Sequence, residues 1–137
     1  MTKIPGWGRV LLILTALPHL ATGAWATLAP ANWFEHYPGF GPPLAAALLP
    51  FNKHLVGDVG VGFLAVGVVL LLAALIGERV LTLAAAATLF VFTAPHLVFH
   101  ALNPAPGISP VEELGGLVAS VIVPFLLLLA VRPTKGA

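Results

Sequence analysis

The strongest constraint on this chain is four long apolar stretches that carry almost no charge. They cover roughly residues 8–28, 53–76, 80–102 and 111–131, each near the length of about 20 residues that crosses a hydrocarbon core as a helix. Charged residues make up 8% of the 137 residues, and the mean hydropathy is +1.03. A soluble domain carries about 25% charge. None of the stretches alternates with a period of two, so a β-barrel is not expected. The expectation is an all-α integral membrane four-helix bundle that forms one transmembrane domain embedded in the lipid bilayer.

Local punctuation supports these limits. Asn52 is a candidate N-cap for the second span. Gly77 ends that span, and Gly77-Glu78-Arg79 is a very short turn, so spans two and three should pair as an antiparallel hairpin. Asn103-Pro104 closes the third span. Ser109-Pro110-Val111-Glu112 reads as a capping box that opens the fourth. The one long connection, between spans one and two, holds Trp33, Phe34, Tyr37 and Phe40 among prolines and glycines, as suits a membrane interface. A short helical or re-entrant piece is expected in it near Leu44–Leu49. The basic, then apolar, N-terminus resembles a signal peptide ending at Ala24-Trp25-Ala26, but it is read here as a retained first span.

Charge orients the bundle. Lys3, Arg9, Arg79, Arg132 and Lys135 fall on the side shared by both termini and the short turn, and Lys53 alone is basic on the other. Excess Lys and Arg marks the cytoplasmic face, so both termini should be cytoplasmic and the long loop external. The basic residues are scattered, which leaves nucleic acid no electrostatic footprint. The absence of cysteine excludes thiolate metal sites and iron–sulfur clusters.

Ionisable groups inside a span are costly and point to function. His54 and Asp58 are four residues apart, as are His96 and His100, so each pair shares a helix face. Antiparallel pairing of spans two and three would put His54 and His100 at similar depth near the external interface, with Asp58 and His96 each about 6 Å deeper, so that all four converge between the two helices. His54, Asp58, His96 and His100 are therefore the candidate metal ligands, with His19, Glu112, Glu113 and His36 as secondary candidates. Imidazoles with a carboxylate suit Zn, Fe or Cu. Two histidines from different helices suit heme, and Gly60, Gly62 and Gly67 would either make room for a macrocycle or let helices approach closely. Three bland readings stand beside the sharp one. The His pairs can serve only to fix helix register, Glu112 can be a helix cap, and Glu113 a solvated neighbour.

No nucleotide loop, nucleophile elbow or zinc-protease motif occurs. The inner halves of the spans are apolar, which argues against a channel or simple carrier. Two classes remain. One is a pocket-bearing protein that binds a metal, a heme or a membrane-soluble molecule such as a quinone or lipid, with enzymatic or redox-linked activity left open. The other is an accessory subunit of a larger membrane complex or a homo-oligomer. Gly115 with Ala119 and Gly116 with Ser120 are small-residue pairs suited to close packing, within the bundle or against a partner.

Three segments carry a resemblance: Tyr37-Pro38-Gly39-Phe40-Gly41, then Pro50-Phe51-Asn52-Lys53-His54-Leu55-Val56-Gly57-Asp58-Val59-Gly60, then Pro95-His96-Leu97-Val98-Phe99-His100. They resemble an uncharacterised family of small four-span bacterial membrane proteins with the motifs P-[YF]-N-x-H-L-V-R-D-V-G and P-H-L-x-F-H. The resemblance implies a bacterial inner-membrane location and makes His54, Asp58, His96 and His100 motif positions. It implies no activity. The chain departs from the pattern at Gly57, where the family has arginine, so Asp58 lacks that charge partner. The architecture is also broadly similar to DoxX-type four-helix proteins, which are linked with quinone redox chemistry.

Overall fold

The computed structural model describes residues 3–48 and 50–132. Among the described residues the chain is helical without strands: α1 Gly6–Leu28, α2 Pro30–His36, α3 Lys53–Ile76, α4 Arg79–Leu102 and α5 Pro110–Ala130. Helices α1, α3, α4 and α5 are each long and apolar enough to cross a membrane, which makes this a multi-pass four-helix bundle. The expected spans match them to within two residues at each end.

The caps explain this agreement. Asn52 accepts the Leu55 N–H at 3.0 Å. Gly77 takes a left-handed φ of 71° at the end of α3, a conformation that costs glycine little. The Ser109 hydroxyl accepts from the Glu112 N–H at 3.3 Å, while the Glu112 carboxylate returns to Ser109 to complete the box. Lys3 and Arg9 have a role beyond orienting the chain. Arg9 donates to the carbonyls of Ala74 at 2.7 Å and Leu75 at 2.9 Å, and Lys3 donates to Ile76 at 3.0 Å. Together they satisfy the unpaired carbonyls at the C-terminus of α3 and place positive charge at its negative end.

The loop differs from expectation. Its helix is α2, directly after α1, while residues 44–48 form turns and Leu49 lies outside the described residues. Pro30 sits at the first position of α2, where its missing N–H costs nothing. The three tryptophans are not equivalent membrane anchors. Trp7 is half exposed, whereas Trp33 is buried with Phe34, Ala26 and Val56 in a small cluster under the loop.

The helices do not pair as the hairpin alone would suggest. The most extensive contact is α1 on α3, followed by α4 on α5, and the α3–α4 contact is smaller. Glycine sets this preference. A Cβ on Gly23 would lie 2.6 Å from the Leu64 nitrogen, and one on Gly60 would lie 2.8 Å from the Thr27 nitrogen. These contacts bring the two backbones together, as small residues do between membrane helices. Gly67 is likewise filled by Leu20 of α1. Gly60 and Gly67 are therefore notches for a helix, and their space is occupied. Gly115 and Gly116 behave oppositely, with nothing within 4 Å of an added Cβ. Their small-residue face is not packed by any described residue.

Candidate functional site

The structure divides the four primary candidates into two pairs. Because α1 and α2 engage the N-terminal part of α3, His54 and Asp58 face a groove beside Thr27 and Pro30 and do not meet α4. They touch each other at 3.4 Å and are 89% and 62% exposed. His96 and His100 turn toward α5. The expected convergence of all four between α3 and α4 does not occur, because the glycine-notched crossing of α1 takes the place that α4 would need. Among the described residues, no group of three or more His, Asp and Glu side chains is placed to hold a metal ion. The donors present do not fit a closed metal site, and the glycines that would make room for a macrocycle are filled, Gly60 and Gly67 by α1 and Gly62 by Phe92 of α4.

What the structure does assemble is a linear hydrogen-bonded chain. Unlike its exposed neighbour Glu112, Glu113 on the first turn of α5 is buried. Both its oxygens accept the Ala105 N–H, at 2.9 and 3.0 Å. Its Oε1 also accepts from His100 Nδ1 at 2.8 Å. His100 Nε2 then meets His96 Nε2 at 3.0 Å. The i,i+4 spacing on α4 brings the two rings together, with centroids 4.8 Å apart and planes tilted by 47°. His96 Nδ1 has no hydrogen-bond partner among the described residues and is not fully enclosed.

The proton positions follow from this geometry. A carboxylate only accepts, so His100 Nδ1 carries a proton toward Glu113. One proton lies between the two Nε2 atoms. In the neutral chain His96 donates it and His100 accepts it, which leaves His96 Nδ1 as a bare acceptor. This carboxylate–imidazole order fixes a histidine tautomer.

The secondary candidates separate cleanly. Glu113 belongs to the site, while Glu112 is the capping residue. His36 is exposed, its Nδ1 donating to the Asn32 carbonyl at 2.9 Å on its own helix. His19 is buried between α1, α3 and α4, donating from Nδ1 to the Thr15 carbonyl at 2.8 Å, with its ring 5.6 Å from Phe63 and 6.2 Å from Phe92. Glu113 was legible as more than a solvated neighbour. The capping box uses only position N3, and the next residue is turned about 100° around the helix from it.

Fold and site thus define a multi-pass membrane bundle with a buried Glu–His–His chain at one end. No protein-family model matches the sequence, and neither the curated proteins nor the solved structures give a match.

Proposed function

We propose that this protein binds a membrane-soluble molecule bearing a hydroxyl or carbonyl group, of the quinone or lipid class, and exchanges a proton with it at His96. The single observation that carries this reading is the chain from Glu113 through His100 to His96, which ends on an unpartnered ring nitrogen. A ligand hydroxyl donates to His96 Nδ1. As its proton transfers there, the proton on His96 Nε2 passes to His100 Nε2. The ligand is left as an oxyanion, and the positive charge rests on His100 beside Glu113. In the reverse step the ligand oxyanion takes the proton back from His96 Nδ1, and His100 returns its Nε2 proton to His96. A carbonyl ligand is bound only as a hydrogen-bond acceptor from His96 Nδ1 while His100 holds the extra proton. The site lies one to two turns inside the bundle end, within reach of molecules that arrive sideways through lipid.

A soluble short-chain hydroquinone tests this reading on the purified protein by quenching of tryptophan fluorescence. Saturable binding that weakens about tenfold or more in His96→Gln, the loss expected of one hydrogen bond, would support it. Unchanged binding in that variant would sink it. Metal analysis and an optical spectrum on the same sample decide a rival chemistry. A stoichiometric Zn, Fe or Cu, or a Soret band, lost in His100→Ala would put the two Nε2 atoms on a metal and not on each other.

The site faces outward in this reading, with both termini cytoplasmic in a bacterial inner membrane. Lys3, Arg9, Arg79 and Arg132 are at the opposite end of the bundle from Lys53, and Lys135 lies outside the described residues. The chain has no cysteine, so single cysteines report topology without background. Gly107→Cys is expected to react with a membrane-impermeant maleimide on intact cells, and Val80→Cys only after lysis. The reverse pattern would invert the orientation.

A second reading is favoured by one observation, the outward-facing Gly115, Gly116 and Ala119. In it the chain is an accessory subunit that packs this face on a larger membrane complex or on its own copy. Gly116→Leu would then abolish co-purification of the partner and leave the isolated bundle intact.

A further inference from the structure

The proposed function leaves His54 and Asp58 unused, yet they face a groove of about 460 Å³ lined by Thr27, Pro30, Lys53, His54, Gly57 and Asp58. Asp58 is on the second turn of a membrane-spanning helix and is exposed outside the bundle. Carboxylates in that position are expensive unless something covers or neutralises them. Its one partner among the described residues is His54, at 3.4 Å, too long for a strong hydrogen bond. Lys53 makes no ion pair with any described residue, although it lies on the first turn of the same helix. The two opposite charges are about 7.5 Å apart along the axis, and a lysine side chain is long enough to shorten that gap. The Thr27 hydroxyl is buried without a partner among the described residues, behind the groove at the α1–α3 crossing beside Gly60. Gly57 leaves the groove floor open, because a Cβ there would meet nothing within 4 Å.

We infer that this groove holds a zwitterionic phosphate–amine headgroup of a membrane lipid. The phosphate pairs with Lys53 at the positive N-terminal end of α3, where His54 and backbone amides add donors. The primary ammonium donates to Asp58. Three features point to a lipid and not a soluble solute. The groove opens at the end of the bundle, it borders membrane-spanning helices, and most of its surround is apolar. A quaternary ammonium has no N–H to donate, so an ethanolamine headgroup is preferred over choline. A headgroup with no amine leaves Asp58 uncovered. This site is separate from the Glu113–His100–His96 chain and stands or falls independently of it.

The full-length protein is reconstituted with equal amounts of phosphatidylethanolamine, phosphatidylcholine and phosphatidylglycerol, and the lipids retained after detergent extraction are counted by native mass spectrometry. The expected result is at least fivefold enrichment of the ethanolamine lipid over the other two. Asp58→Asn should reduce it to the choline level, and Lys53→Met should lower it as well. Both positions are exposed, and circular dichroism confirms folding of each variant. His96→Ala should keep the enrichment, which separates this site from the one above. Equal retention of the three lipids by the wild type, or enrichment unaltered in both groove variants, overturns the assignment. Displacement of the lipid by soluble phosphoethanolamine also overturns it, by making the free headgroup the ligand.

Discussion

Replacing Glu113 with alanine is expected to destabilise the bundle by about 2–4 kcal/mol, one of the largest single effects in the molecule. The change removes the only acceptor, among the described residues, for the Ala105 N–H and for His100 Nδ1. An unpaired buried donor costs about 1–3 kcal/mol. The lower part of that range applies here, because interhelical hydrogen bonds inside a membrane average about 0.6 kcal/mol. Glu113→Gln keeps one acceptor oxygen and should cost less than half as much. The two variants also separate structure from function. If Glu113 merely ties α5 to α4, glutamine rescues both stability and ligand binding. If it supports a protonated His100, glutamine rescues stability but leaves proton exchange impaired, because an amide supplies no counter-charge. Urea unfolding in mild detergent gives the first quantity, and proton release on hydroquinone binding gives the second. Equal stability of wild type and Glu113→Ala would show that the carboxylate is not the buried tie described here.

The fold was legible to the extent that it is local. Span length follows from apolar run length, and the cap residues Asn52, Gly77 and Ser109 mark their positions by chemistry that acts over three or four residues. Helix partners are not local. The hairpin rule predicts that α3 and α4 lie side by side, but how closely they pack depends on how well other helices fit. Gly60 and Gly67 could be read from sequence as signs of close contact, but not the identity of the partner. Gly23, on the α1 side of the same crossing, looks unremarkable among alanines and threonines. The site inherits that uncertainty. The i,i+4 pairs were correctly read as shared faces, His96 with His100 and His54 with Asp58. Whether the two faces met depended on the α1–α3 crossing. Glu113 reaches His100 across 13 positions of chain and a turn, a separation over which no helical periodicity operates.

The glycines of the bundle are expected to divide into two energetic classes. At Gly23 an added methyl would meet the Leu64 nitrogen at 2.6 Å and the Gly60 oxygen at 2.8 Å. Both obstacles are backbone and cannot turn aside as a side chain would. Gly60 is held the same way by the Thr27 and Ala26 backbones. Gly23→Ala and Gly60→Ala therefore push α1 away from α3 along the largest helix contact, at a cost of about 1–3 kcal/mol each or more. The two residues share one crossing, so their effects should combine to less than their sum. At Gly115 and Gly116 the same change meets open space. There alanine gains helix propensity of up to about 1 kcal/mol and should leave stability equal or higher. Unfolding midpoints of the four single variants measure the contrast. Four similar values would mean that α1 and α3 do not cross at these glycines. A loss at Gly115 or Gly116 alone, growing with protein concentration, would instead indicate that this face is buried against a second molecule.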